Sequence, residues 1–215
     1  MSPAAETSAT KLPPKQRRRW AWWVFGLFVG GVVLATVFGP LALDYYFAYS
    51  RVRDGHAKEL VDSFARFPEL RTAIGRSETL KLYEGLPHQR WESESLKREL
   101  AGKPVVTLAG YPFYKEPLEM NPADASRLKS ICRSWWSFVP FRGYKACGGY
   151  HPDWCLAWSD GRQTYLVQLC FGCHEMKAFL DGKELHGDIR HGAYSELETM
   201  LARYRKNRPE RGTPP

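Results

Sequence analysis

The chain has 215 residues, 44% hydrophobic and 25% charged, with 15 prolines and 18 glycines. That excludes a collagen-like or wholly disordered polymer and leaves room for one globular domain, two at most. The formal charge of +8 sits at the ends, +4 over residues 1–19 and +4 over residues 202–215, so the rest is neutral; a basic groove is not expected, nor a nucleic-acid partner.

Residues 1–19 read as a cytoplasmic basic tail suited to anionic lipid headgroups. From Trp20 to Leu43 there are 24 consecutive residues without a formal charge. Spanning a hydrocarbon core takes roughly 20 helical residues, so residues 20–43 are expected to be a transmembrane helix. Trp20, Trp22 and Trp23 flank one end and Tyr45 and Tyr46 the other, where amphipathic rings prefer the interface. Arg17-Arg18-Arg19 abuts the run, which places the N-terminus in the cytoplasm and the remainder in the periplasm or outside the cell, on an inner-membrane anchor. Pro40-Leu41-Ala42 is a poor cleavage site, so the anchor is read as uncleaved. Gly26 and Gly30 form a GxxxG face through which two copies could pair as a homodimer.

Residues 44–204 are expected to form an extracytoplasmic α+β domain, an antiparallel β-meander with packed helices. In chain order, His56–Phe67 has helical spacing continuing from the anchor, with Pro68 as its stop; Thr79–Tyr83 alternates as a strand; Glu92–Leu100 reads as a surface helix; Val105–Leu108 reads as a strand. Asn121-Pro122 is a cap followed by a first-turn proline, opening a helix through Leu128, Ile131 and Trp135. Asp160-Gly161 and Asp181-Gly182 are hairpin signals joining strands Asp153–Trp158, Gln163–Phe171, Glu175–Leu180 and Lys183–Ile189. Ser195–Tyr204 begins with a Ser-x-x-Glu capping box, and residues 205–215 read as a disordered basic tail.

All five cysteines lie between 132 and 173, four of them in Cys147-Gly-Gly-Tyr-His151-Pro-Asp-Trp-Cys155 and Cys170-Phe-Gly-Cys173-His174. A two-residue turn at Asp160-Gly161 would set Trp154 opposite Val167, Leu156 opposite Tyr165, Cys147 opposite His174 and His151 opposite Cys170. One face would then hold Tyr150, Trp154, Leu156, Trp158, Tyr165, Val167, Leu169 and Phe171 as core, the other Cys147, His151, Asp153, Cys155, Gln168, Cys170 and His174.

Three chemistries compete for this cluster. Cys170-x-x-Cys173-His174 is a literal haem c attachment motif, with two thioether cysteines and an iron-ligating histidine; it ends a β-patterned strand rather than opening a helix, and Met176 lies too near in sequence to serve easily as the opposite ligand. Zinc would take Cys170 and Cys173 together with Cys147 and His151 or His174, given a bulge at Gly172. Structural use, as disulfides or buried thiols, suits an exported domain and leaves Cys132 as a core thiol. We take structural use as the leading reading; the cofactor is left unknown, with none, haem c and zinc as the alternatives.

At this hairpin the chain resembles a group of uncharacterised bacterial proteins. They carry a cysteine, an aromatic or polar residue with proline, an alternating strand, a turn, and a second strand ending Cys-Phe-x-Cys. The matching residues are Cys147, His151-Pro152, Val167, Leu169 and Cys170-Phe171-Gly172-Cys173, about 30 of the 215 residues. The resemblance implies no activity and does not require a histidine after the last cysteine.

No nucleophile elbow, phosphate loop, H-E-x-x-H or spaced carboxylate pair occurs, so no catalytic residue is assigned. His56, His88, His186 and His191 read as solvated. The expected function is that of a membrane-anchored envelope protein, leaning away from an enzyme, whose cysteine hairpin serves structure or binds a protein partner; the rival is a redox or haem protein.

Overall fold

The computed structural model describes residues 14–209 and divides into two units between Leu43 and Asp44. The first unit is the bulk of a long helix, α1 (Pro14–Arg51), whose last residues belong to the second unit. Among the described residues no single helix is long and apolar enough to cross a membrane; Phe25–Val33 and Phe38–Arg51 meet that requirement only together, with a 45° bend between them. The sequence accounts for the bend. Pro40 has no N–H to give and its ring crowds the carbonyl of Thr36, while the Thr36 hydroxyl donates back to Val32 O and Val33 O at 2.9 and 3.0 Å.

The second unit is α+β. After α1 the Asp54 carboxylate accepts the Ala57 N–H at 2.7 Å and caps α2 (Gly55–Ser63), which is separate from α1 rather than its continuation. A 3₁₀ turn over Phe64–Arg66 leads into α3 (Phe67–Arg76), so Pro68 opens a helix where it was expected to close one. At a first turn its missing N–H has no intrahelical partner to lose. There follow β1 (Thr79–Glu84), α4 (Ser93–Gly102), a hairpin of β2 (Val105–Leu108) and β3 (Tyr111–Tyr114), α5 (Pro122–Cys132), β4 (Phe138–Pro140), β5 (Trp154–Ser159), β6 (Thr164–Cys170), β7 (Glu175–Leu180), β8 (Lys183–Ile189) and α6 (His191–Ala202). Asn121 caps α5 as expected, accepting the Asp124 N–H at 2.8 Å. The last helix begins one turn earlier than Ser195, whose hydroxyl instead donates to His191 O within the helix.

Six strands form one antiparallel sheet in the order β1-β5-β6-β7-β8-β4, and β2–β3 stands as a separate pair. On one face, Leu82, Leu156, Val167, Ala178 and Leu185 form a row across five strands, flanked by Trp154, Trp158, Leu169 and Met176. Phe67, Leu70 and Ile74 of α3, Leu128 and Cys132 of α5, and Leu197 and Leu201 of α6 cover that face. Cys132 is the core thiol that the helix pattern suggested. Gly187 is required where β8 passes under this layer, because a Cβ there would lie 2.8 Å from Val139 O and 2.9 Å from the Phe64 ring.

The β5–β6 register differs from expectation by two residues. Trp154 lies opposite Leu169, Leu156 opposite Val167 and Trp158 opposite Tyr165. The Asp160 carboxylate accepts the N–H groups of Arg162 and Gln163 at 3.0 and 2.9 Å, so Asp160 takes the first position of the turn and Gly161, at φ +82°, becomes its first central residue. The central pair is Gly161-Arg162, not Asp160-Gly161. A shift of two keeps every side chain on its own face, so the assignment of the apolar core survives while the partners change.

Candidate functional site

The opposite face of the same sheet is polar and buried. One row runs Tyr83, Cys155, Gln168, Lys177, His186 across β1, β5, β6, β7 and β8, and the next runs Cys170, Glu175, Asp188, Val139. Cys155 and Gln168 are fully buried, and Cys170, Glu175, His186 and Asp188 nearly so. Residues 141–152 and the β2–β3 pair roof these rows. The Tyr150 hydroxyl donates to Gln168 O at 3.0 Å, the Tyr111 ring lies 5.3 Å from that of Tyr150, and the Gln168 amide donates to Leu108 O at 2.9 Å. Tyr150 thus belongs to the polar face, not the apolar one. Strand alternation does not extend back to it, because β5 starts only at Trp154.

Under the roof lies an ionised cluster. Lys145 Nζ sits 2.6 Å from Asp188 Oδ1 and 3.3 Å from Glu175 Oε1, and His186 Nε2 is 3.0 Å from Glu175 Oε2. The Phe141 ring closes the cluster from above, 4.7 Å from the His186 ring and 4.7 Å from the Lys145 ammonium. Burial pushes both carboxyls upward. At Glu175 the hydrogen bond from His186 and the Lys145 charge outweigh it and hold the group below its usual range, whereas at Asp188 burial prevails and the pKa is raised.

A second ionised cluster borders the first. Arg208 Nη1 donates to Asp153 Oδ1 at 2.6 Å and its other terminal nitrogen pairs with Glu92, while Asp153 Oδ2 accepts the Phe171 N–H at 2.8 Å. The Glu84 carboxylate accepts the N–H groups of Lys206, Asn207 and Arg208 at 3.1, 2.7 and 3.0 Å. The expected disordered tail is therefore ordered at least through Arg208, whose side chain is 2% exposed; residues 210–215 lie outside the described residues. Local composition does not reveal this, because the buried acidic partners of the tail lie more than 50 residues away in sequence.

The five residues expected to form a thiol–imidazole cluster are placed as follows. Cys147 is joined to Cys173 by a disulfide, with Cα atoms 5.7 Å apart. Cys170, a free thiol at the end of β6, accepts the Cys173 N–H at 3.3 Å. It pairs with Glu175 on β7 and, given the observed register, stands opposite Asp153; the His151 main chain still hydrogen-bonds its sulfur, but the His151 ring does not join it. The His151 ring packs instead on that of His88, with centroids 4.7 Å apart. His174, at φ +58°, turns outward and stacks on Tyr194 at 4.0 Å. Cys173 needs no bulge at Gly172, since β6 ends at Cys170 and Phe171–His174 form the turn into β7. The expected pairings His151–Cys170 and Cys147–His174 are thus both replaced. Among the described residues no group of three or more His, Cys, Asp or Glu side chains is placed to hold a metal ion. With Cys173 bonded to Cys147, the C-x-x-C-H run offers one free thiol, Cys170.

Burial pushes the Cys170 thiol up to about 11 and the Cys132 thiol up to about 12, raises that of Cys155, and lowers the His151 imidazole to about 4. His88 and His186, expected in solvent, are buried at 7% and 4% exposure. The residues that sequence reasoning missed are Lys145, Glu175, His186, Asp188 and Arg208. Glu175, His186 and Asp188 left a signal: Glu175-Met176-Lys177-Ala178 and Leu185-His186-Gly187-Asp188 alternate in the same period as β5 and β6, whereas Lys145 and Arg208 lie outside any strand. A groove of about 540 Å³ also runs along the outer side of β1, lined by Leu80, Leu118, Met120, Lys129 and Trp158 among others, and the Lys129 ammonium at its wall donates to Ser77 O at 2.6 Å. No protein family, curated protein or solved structure matches the chain.

Proposed function

We propose that the chain is a single-pass membrane protein with a cytoplasmic N-terminus, displaying residues 44–209 outside as a partner-binding domain in which the cysteine hairpin is a structural clamp. The observation that carries this reading is the Cys147–Cys173 disulfide. Such bonds persist in oxidising compartments, and Trp20–Leu43 behind Arg17-Arg18-Arg19 supplies the route there. Trp22, Trp23, Phe25, Leu27 and Phe28 are all well exposed on α1, as lipid-facing residues would be. Within the domain the bond ties the roof to the β6–β7 turn. Closing a loop of 26 residues constrains the unfolded chain by about 3.5 kcal/mol in the chain-entropy account.

The clamp is favoured over a redox centre by the chemistry of Cys170. Only a thiolate attacks a disulfide, and burial pushes the Cys170 thiol up to about 11, which keeps it protonated at pH 7. The test joins topology to thiol counting. Alkaline phosphatase fused to the C-terminus is expected to be active. The unreduced, denatured full chain is expected to alkylate three thiols, Cys132, Cys155 and Cys170. An inactive fusion overturns the orientation, five thiols before reduction overturn the compartment, and a Soret band surviving acidic acetone overturns the clamp in favour of haem.

A further inference from the structure

We propose that the folded domain rests on an anionic bilayer surface through Trp136, Arg142 and Arg190, gathered around Asp44. This inference rests on the membrane anchor proposed above. Asp44 is the first residue after the charge-free run that ends at Leu43. With that run in the bilayer, Asp44 lies at headgroup level whatever angle the anchor adopts, and so do the groups bonded to it.

Those groups are of the kind that an interface selects. Arg142 Nη2 donates to Asp44 Oδ1 at 2.6 Å and Arg190 Nη2 donates to Asp44 Oδ2. Two guanidinium groups share one carboxylate, which leaves an excess positive charge beside the anchor. The carboxylate is 9% exposed but the arginine side chains are 32% and 30% exposed, so their outer edges remain open to phosphates. The Arg190 guanidinium lies 6.0 Å from the centre of the Trp136 ring, and Trp136 is 67% exposed.

The backbone that carries the indole is fixed: the Trp136 main-chain N–H donates to Ser134 Oγ at 3.1 Å, and the Arg190 main-chain N–H donates to Ser137 O at 2.9 Å, pinning the segment to the end of β8. Its neighbour Trp135 points inward, 5.1 Å from the Phe67 ring. Isolated exposed apolar residues are ordinary on a protein surface. Trp91 is one, 62% exposed, with its indole N–H donated to Cys147 O at 3.0 Å and its ring covered by Arg90. Trp136 differs in sitting within two side-chain contacts of the residue that follows the anchor, among cations. An amphipathic ring and arginines at that level match headgroup depth and negative surface charge together.

The test uses the full chain reconstituted in phosphatidylcholine–phosphatidylglycerol vesicles whose acyl chains are brominated near the headgroup, with tryptophan fluorescence read for wild type and Trp136→Phe. Trp20, Trp22, Trp23 and Trp136 are the expected quenchable rings, so the substitution should remove about a quarter of the quenched amplitude. Vesicles of phosphatidylcholine alone should reduce that difference. Absence of quenching in wild type overturns the anchor. Quenching of equal amplitude in both proteins overturns the docking of the domain while leaving the anchor in place. A difference insensitive to phosphatidylglycerol overturns the role assigned to Arg142 and Arg190. Unchanged far-ultraviolet circular dichroism of Trp136→Phe establishes that a lost signal is not a lost fold.

Discussion

The two faces of the six-stranded sheet are both covered and are built on opposite principles. One is a row of aliphatic and aromatic side chains, Leu82, Leu156, Val167, Ala178 and Leu185, covered by three helices. The other buries Cys155, Gln168, His186, Glu175 and Asp188, with Lys177 half-buried among them, beneath a loop and a two-stranded hairpin. The apolar face needs only that its residues point the same way, because burial of apolar area has no direction. The polar face needs each donor opposite its acceptor, since an unpaired buried ion costs several kcal/mol. The first face tolerates error; the second requires the roof to close in one arrangement, and a disulfide ties that roof down.

The largest expected effect breaks the apolar side. Trp154 is 1% exposed, so Trp154→Ala should cost about 3–5 kcal/mol in urea unfolding. That is a large share of the roughly 5–15 kcal/mol available to a domain.

On the polar face, Lys145→Met removes the ammonium between Glu175 and Asp188. Breaking a buried pair costs about 3–5 kcal/mol, and with the Lys145 side chain 27% exposed we expect about 2–3 kcal/mol at neutral pH. The deficit should narrow as pH falls and the two carboxyls take up protons. A deficit independent of pH would mean that the lysine acts through its packing on Phe141 alone.

The smallest effect sharpens the contrast through titration. The His151 pKa is lowered to about 4 by burial, from 6.5 in the unfolded chain. Below pH 6.5 the unfolded state therefore binds a proton that the folded state does not, and stability falls until pH reaches about 4. Between pH 7 and pH 5 this amounts to about 2 kcal/mol. His151→Gln should flatten that part of the stability profile, as followed by thermal melting across pH, and an unchanged slope would assign the acid sensitivity to other groups.

Much of the sheet was legible beforehand because strand alternation is a local property. Glu175–Leu180 and Lys183–Ile189 match β7 and β8 to the residue, and Trp154, Leu156, Trp158, Tyr165, Val167 and Leu169 line the apolar face as expected. The register was not legible, because a period of two is unchanged by a shift of two. Only the Asp160 side chain, bonding Arg162 and Gln163, decides between the pairings. The clearest contrast is between Cys132 and Arg208. The core position of Cys132 follows from its own helix and its spacing from Leu128. Arg208 looks like a solvated cation until Glu84, Glu92 and Asp153 arrive from three separate segments.

By itself, then, the amino-acid order determined the α+β class, the apolar face and the cap of α5, all readable from neighbours within one turn or one strand, and the placement of the net charge at the two ends, readable by counting. Tertiary structure alone decided that Cys147 joins Cys173, that His151 turns to His88, that His186 is buried against Glu175, and that Arg208 is locked between carboxylates. Those pairings depend on which distant segments the folded chain brings within hydrogen-bonding distance, and no local periodicity encodes that.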